Sequence, residues 1–442
     1  MIRRDFIKKT GLGAAGIGLS GLVMPSVFAN GAPNKKIVVA VVGVNNRGHQ
    51  LSRYFTEMPD CEVGYICDVD ERALAKTVDS ISKIQDRKPK AEKDFRKALE
   101  DKGIDAVVLA MTDFWNVPAG IIACSMGKHV YIEKPLGHNP NEGELMVRAA
   151  RKYNRIVQMG CQRRSGTGLI QMVADIRSGI IGNVYMAKTW YANARGELHF
   201  KENAPIPSWL DYELWQGPVP RRPYKEGLVH YNWHWTWHYG TGEAPANAVH
   251  EIDVARWGLG VEFPIRVSSM GGRYTYKDDW ETPDTQMITM EFPDNKLIVW
   301  EGRSHNKFLV NGADRGSIFY GDNGSIINPG GNSYTVYDKM NNIIKEYDDM
   351  TDSKDTTNTA SAGVNLDKVH VANFLDCLRN GGSPTCECEI GHRSTVLTHL
   401  GNIALRTQQE LKIDPKNGHI LNNKEAQKLW GREYEKGWEP KI

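Results

Sequence analysis

The chain has 442 residues, of which 40% are apolar and 24% charged. That length is roughly three times a common domain, so two domains are expected, and the composition excludes an intrinsically disordered chain. Lys and Arg total 55 against 53 Asp and Glu, for a formal charge of +2; with no basic run, neither nucleic acid nor an anionic membrane finds an electrostatic footprint.

The first 29 residues hold Arg3, Arg4, Lys8 and Lys9 against Asp5, and without them 51 cations face 52 anions. RRDFIKK precedes an apolar, Gly/Ala-rich stretch with small residues near Ala29. A charged front, a short apolar middle and a small-residue end are the parts of an export signal. The paired arginines, Phe6 and Lys8 resemble a twin-arginine signal. Glycines 11, 13, 16, 18 and 21 and Pro25 weaken the alternative of a spanning anchor. Export to a bacterial periplasm is the expectation, with no stable membrane insertion after cleavage of residues 1–29. Seven cysteines (61, 67, 124, 161, 377, 386 and 388) are an odd number, and Cys386-x-Cys388 has no partner pair, so neither a disulfide scaffold nor a zinc site is expected.

From Lys36, KIVVAVVG reads as a buried strand, followed by a helix through about Glu57 and a second strand, EVGYICDVD. IDAVVLAMT, HVYIEKP and RIVQMG are further strands, with helices near 71–84, 116–127 and 141–153. Apolar strands alternating with helices predict an α/β domain over 30–160, its parallel sheet covered on both faces. After Gly182, VYMAKTWYAN, IRVSSMGGRYTY, DTQMITMEF, KLIVWEGRS and GSIFYGDNGSI alternate. They predict an α+β domain over 161–442, an open, mostly antiparallel sheet with one solvated face, flanked by helices at 365–379 and 392–409.

The first strand ends in GVNNRG, residues 43–48. A dinucleotide fingerprint needs a glycine at the strand-to-helix turn, a small residue facing the pyrophosphate and a third glycine for packing. Gly43 and Gly48 fill the outer roles. Asn45 stands where the middle glycine belongs, and Asn tolerates positive φ; Asn46 and Arg47 complete the turn. Asp68 ends the second strand 25 residues after Gly43. A carboxylate there accepts from ribose hydroxyls and favours NAD, while Arg47 and Arg72 leave NADP open. Thr112, Trp115 and Asn116 follow the IDAVVLAMT strand, at the carboxyl ends where such sheets line their crevice. Gln162 and Arg163 end the last strand.

Glu133-Lys134-Pro135 follows a strand 90 residues after Gly43. With EKPLGHN, MGCQRRSG, WHWTWHYGTGE and VHEIDVARWGL, it resembles the glucose–fructose oxidoreductase / inositol dehydrogenase / MocA family over essentially the whole mature chain. The resemblance implies a Rossmann domain that binds NAD(P), with Glu133 and Lys134 beside the nicotinamide, and an open-sheet domain that binds a sugar. It implies a catalytic Lys134, with a cis Lys-Pro bond aiming it, and a catalytic His250 that takes a hydroxyl proton. Many such dehydrogenases carry an Asp four residues before the histidine, whereas this chain has Ala246; Asn247 and Glu243 are the candidate substitutes.

HYNWHWTWHY, residues 230–239, holds three Trp, two Tyr and three His. Sugar rings pack C–H faces on aromatics while their hydroxyls need hydrogen-bonding groups, so Trp233, His234 and Trp235 join Tyr191, Arg195 and Asn247 as candidate sugar-binding residues. The spacing of His230, His234 and His238 mimics a helical metal face, but the Trp alternation suits an extended segment, and no metal is expected. The resemblance also implies a dimer or tetramer. The leading expectation is an oxidoreductase with a tightly bound cofactor acting on a sugar or glycoside. The alternatives are a glycosidase working by transient oxidation, elimination, water addition and re-reduction, and an inactive sugar-binding homologue.

Overall fold

The computed structural model describes residues 36–348 and 364–442; the expected export signal at 1–29 lies outside them. The chain opens with β1 (Ile37–Val42), α1 (Arg47–Glu57), β2 (Cys61–Cys67), α2 (Glu71–Ser82), β3 (Lys90–Glu92) and α3 (Phe95–Glu100). It continues with β4 (Ala106–Leu109), α4 (Asp113–Ser125), β5 (His129–Ile132), α5 (Pro140–Lys152) and β6 (Val157–Met159). The six strands form a parallel sheet in the order β3-β2-β1-β4-β5-β6. This doubly wound order reverses direction beside β1, which opens a crevice at the strand carboxyl ends. Successive β1 residues serve two cores. Val39 and Val41 pack with Phe55 of α1, and Ala40 and Val42 pack with the α3, α4 and α5 side.

The second region contributes α6 (Thr167–Arg177), β7 (Val184–Ala192), α7 (Tyr212–Gln216), α8 (Val249–Leu259), β8 (Arg266–Gly272), β9 (Thr285–Phe292) and β10 (Lys296–Arg303). Then come β11 (Arg315–Gly321), β12 (Gly324–Asn328), β13 (Tyr334–Asp338), β14 (Ile343–Tyr347), α9 (Val364–Asn380), α10 (Cys388–Thr407), β15 (Leu411–Ile413), β16 (Ile420–Leu421) and α11 (Lys424–Lys428). Ten strands make one sheet in the order β14-β13-β12-β11-β7-β10-β9-β8-β15-β16. All its neighbours are antiparallel except β7 and β10. Helices α6, α8 and α10 cover one face, burying Ile288, Met290, Trp300 and Phe319. The other face is open: Met270 and Met287, cross-strand neighbours, are exposed.

Three local expectations change. GSIFYGDNGSI is a hairpin, because Asp322 and Asn323 turn the chain between β11 and β12. HYNWHWTWHY is not extended: it folds as turns and a 3₁₀ helix at Asn232–Trp235. Its alternate tryptophans are buried in two separate places, Trp233 against the first domain and Trp235 against Trp280. A boundary at residue 160 marks the change in strand pattern, but the core crosses it. Phe374 of α9 packs edge-on against Phe55 and Tyr131, closing the outer layer of the parallel sheet.

All seven cysteines are buried and unpaired, and no helix among the described residues is long and apolar enough to cross a membrane. His370 is hydrogen-bonded at both nitrogens, to Ser165 and to the Met159 carbonyl, whereas Nδ1 of His392 has no partner. Burial pushes His129, His370, His392 and His399 each down to about 4. In the unfolded chain these groups protonate near pH 6.5, but in the fold they stay neutral until about 4, so acid loads protons onto the unfolded state. Stability is expected to fall as pH drops through that window, read as urea midpoints between about pH 7 and about pH 5. A flat profile would contradict the neutral burial of these rings.

Candidate functional site

One cavity of about 530 Å³ lies along the crevice between the two domains. Its floor is the turn after β1. The Gly43 amide donates to the Cys67 carbonyl (2.9 Å), and with φ +80° a Cβ there would stand 2.6 Å from the Ala110 carbonyl oxygen. A Cβ on Gly48 would stand 2.2 Å from the Gly43 carbonyl oxygen, so Gly48 packs the turn and does not line the cavity. Asn45 is not among the residues with positive φ. The turn needs the left-handed conformation only at Gly43, and a side chain at 45 is therefore tolerated without special geometry. Asn46 makes no side-chain cap on α1, and the first turn of α1 holds no acid. Its amides are left for an anion.

Asp68 lines the same cavity and braces the turn, accepting from the amides of Val44 (2.6 Å) and Asp70 (2.9 Å). Arg47 pairs with Glu133 (2.8 Å) and with Asp367 (2.7 Å) of α9. Arg72 pairs with Asp70 and lies 3.3 Å over the Trp209 ring. Both arginines considered for a 2′-phosphate are thus engaged by carboxylates, and the pairing favours the unphosphorylated ribose of NAD. The buried Oγ1 of Thr112 and Oε1 of Gln162 have no hydrogen-bond partner, and both side chains line the cavity. A glycine cradle, an open helix start and orphaned polar atoms fit a dinucleotide. Asn116 stands behind the wall, where its Oδ1 accepts from the Met111 amide (3.1 Å); Trp115, on the wall, donates to the Trp215 carbonyl (2.9 Å).

At the other end, Lys134 follows β5 through a cis bond to Pro135. Its Nζ crosses the domain junction to donate to the Ala246 carbonyl (2.7 Å). Ala246 sits in a π-helical turn, Ala244–Ala248, that runs directly into α8 and His250. Burial lowers the Lys134 ammonium, and the carboxylates of Glu133 and Asp113 oppose that shift. His250 is buried, with no partner at Nδ1. Burial, with the cations Lys134, Arg315, Arg163 and Arg47, holds it well below the usual imidazole range. The ring is therefore neutral near pH 7. Asp253 does not orient it: that carboxylate is held by Arg164 (2.8 Å) and by Ser394 (2.5 Å).

Around these two groups, Arg195 pairs with Glu243 (2.6 Å), whose second oxygen accepts from Asn247 (2.5 Å). Arg315 donates to Asn247 (3.2 Å) and pairs with Glu251. Trp235 leaves the cavity, stacking on Trp280 and carrying the Arg195 guanidinium 4.5 Å above its ring. Trp233, His234, Tyr191 and Asn247 line the wall. His234 stacks on Trp233 and donates from Nδ1 to the Tyr231 carbonyl (2.6 Å), which leaves Nε2 an acceptor; burial pushes it down to about 3. His230 bonds Asp70 and His238 bonds the Pro220 carbonyl. The three histidines do not converge, and no group of three or more metal-ligating side chains occurs among the described residues.

Several wall residues escaped the sequence reading. Asp113 immediately follows Thr112 at the same strand end, so its signal was present. Arg315 and Asp367 lie far along the chain and reach the cavity only through β11 and α9. A strap of the second domain also covers the Asp68 end of the cavity. The Glu71 amide donates to the Trp209 carbonyl, the Asp211 amide to Val69, and Leu214 and Trp215 line the cavity.

The family model described as "Oxidoreductase family, NAD-binding Rossmann fold" matches residues 37–161. The model for "Oxidoreductase family, C-terminal alpha/beta domain" matches residues 180–440. A glycosyl hydrolase family 109 protein of Shewanella pealeana is 26% identical over 228 residues, 48% of this chain and 50% of that protein. An alpha-N-acetylgalactosaminidase of Shewanella oneidensis is 23% identical over 229 residues, 48% and 50% respectively. The chain thus spans about half the length of these curated relatives. In fold it is similar to an aldose-aldose oxidoreductase of Caulobacter crescentus, with a TM-score of 0.65 at 16% identity over 86% of this chain and 100% of that one.

Gly43→Val is expected to abolish dinucleotide binding, since its side chain must displace the Ala110 backbone. Mass spectrometry of the denatured protein checks this, and a variant that still carries nucleotide contradicts the turn's role.

Proposed function

Because the chain belongs to the Gfo/Idh/MocA oxidoreductase family, with its NAD-binding Rossmann domain, we infer that it is an NAD-dependent enzyme transferring hydride at a sugar or glycoside carbon. The observation that carries this reading is the shared cavity of the 43–47 turn, Lys134 and His250. The turn and the start of α1 would hold the pyrophosphate, Asp68 the adenosine ribose, and Thr112 and Gln162 the nicotinamide half. The nicotinamide, when bound, supplies the hydride acceptor and donor. Lys134 holds a proton toward the reacting oxygen, and the neutral His250 receives the hydroxyl proton. Arg195, Asn247, Tyr191 and His234 offer donors and acceptors to sugar hydroxyls, with Trp233 supplying an aromatic wall.

The strap anchored at Glu71, Asp211 and His230 supports a dinucleotide retained between turnovers. A retained cofactor returns to its starting redox state in every cycle, either by reducing a second carbonyl substrate or within one glycoside molecule. The second route is oxidation, elimination of the glycosidic group, water addition and re-reduction. It gives net hydrolysis, and two observations favour it as the alternative reading: the names of the curated relatives and the absence of an acid at position 246.

Lys134→Ala and His250→Ala are each expected to lower turnover about 10²–10⁴-fold while the fold and the bound dinucleotide persist. Wild-type rates in both variants would remove the site assignment. Aryl glycosides decide the outcome: aglycone release without added cofactor marks the hydrolase, and a keto-sugar product marks the oxidoreductase. A wild-type protein that carries no nicotinamide dinucleotide would remove both.

Twin-arginine export to the periplasm is proposed from Arg3, Arg4, Phe6 and the apolar stretch behind them. Replacing both arginines by lysine is expected to retain the protein in the cytoplasm, read by cell fractionation; unchanged export would refute the assignment. The open sheet face with Met270 and Met287 supports a dimer or tetramer, and a monomer mass by light scattering would refute that.

A further inference from the structure

The first domain sends two side chains to one short turn of the second. Lys134 donates to the Ala246 carbonyl (2.7 Å), and the Asp113 Oδ2 accepts from the Thr241 hydroxyl (2.6 Å). The Ala246 amide in turn closes on the Gly242 carbonyl (3.2 Å), so both contacts fall on the single loop 241–246. Thr241 is itself fixed, its carbonyl accepting from Asn402 of α10 (2.7 Å). Asp113 and Lys134 both line the cavity, and Asp113 is only 3% exposed. An acid in the first turn of a helix ordinarily stabilises that helix from the solvent side. This one is turned inward, where a hydroxyl donor and the charge of Lys134 only partly offset its desolvation.

We propose that Asp113 is the positioning carboxylate of Lys134, clamped by Thr241 across the domain junction so that its charge faces the ammonium and keeps it protonated. This deepens the reading of Lys134 as the proton-bearing group and rests on it for turnover. Lys134 shares the cavity with Glu133, Asp113, Arg47, Arg315, His234 and His250, whose charges bear on it or it on them. Those facing Asp113 are Lys134, Glu142, Thr241 and Tyr231. Of the two carboxylates that raise Lys134, Glu133 is already paired with Arg47. Asp113 has no such cationic pair among the ion pairs of the described residues, and burial pushes it up to about 7. Its charge therefore turns on near neutrality, and with it the support of the ammonium.

The test reads Lys134 itself. Trace labelling of the full-length protein with acetic anhydride across a pH series, followed by mass spectrometry of the Lys134 peptide, gives the midpoint of the amine without any turnover. Asp113→Asn removes an anion, so that midpoint is expected to move down by about one pH unit. Thr241→Val keeps the volume but frees the carboxyl, and is expected to move it the same way by less. In both variants the alkaline limb of the pH–rate profile for kcat is expected to follow, with KM little changed. The proposal is overturned if the Lys134 midpoint is unchanged in both variants while they retain wild-type dinucleotide content. The reading of function fails separately, through the absence of dinucleotide from the wild-type protein.

Discussion

The hydrogen bond from the Lys134 ammonium to the Ala246 carbonyl joins the two domains at the point where chemistry is expected. Its donor comes from the carboxyl end of a parallel strand, and its acceptor belongs to a π-helical turn whose next residues deliver His250. A partly buried charged amine is costly unless it is hydrogen-bonded and has anions nearby. The cavity must therefore supply both, through the Ala246 carbonyl on one side and Glu133 and Asp113 on the other. The domain junction and the protonation state of the lysine are one constraint.

The rest of the cavity obeys the same rule. Its arginines are paired: Arg47 with Glu133 and Asp367, Arg195 with Glu243, and Arg315 with Glu251. Buried pairs of this kind contribute little net stability, because desolvation cancels much of the attraction. What they supply is direction. Each guanidinium is held by a carboxylate from another segment, so the donors meeting a ligand are set before it arrives, and ordering them costs binding little. The histidines complement this. His234 and His250 are kept neutral by burial and by neighbouring cations, and they present acceptors among many donors.

Long-range returns of the chain close the site. Helix α9, some 320 residues beyond Arg47, places Asp367 on that arginine and Phe374 under the sheet. The strap near Trp209 lies over the Asp68 end of the cavity, and the last residues bring Trp438 edge-on to Trp115 at 5.1 Å.

Much of the first domain was legible in sequence because each of its signals is local. Apolar runs such as IVVAVV must be buried strands, Gly43 must take a conformation other residues resist, and Lys134 and Asp68 sit where parallel strands end. The alternating strands of the second domain announced a half-open sheet in the same way. Local signals also misled where burial was shared between distant partners. The alternating tryptophans of 230–239 imitate a strand because Trp233 and Trp235 fill two different cores, and α9 carries no mark that it closes the other domain. The composition of the cavity was local, then, but its electrostatics were not. Whether Lys134 meets Asp113, Arg47 meets Asp367 or Arg195 meets Glu243 depends on segments tens to hundreds of residues apart, and only their packing brings those charges within reach of one another.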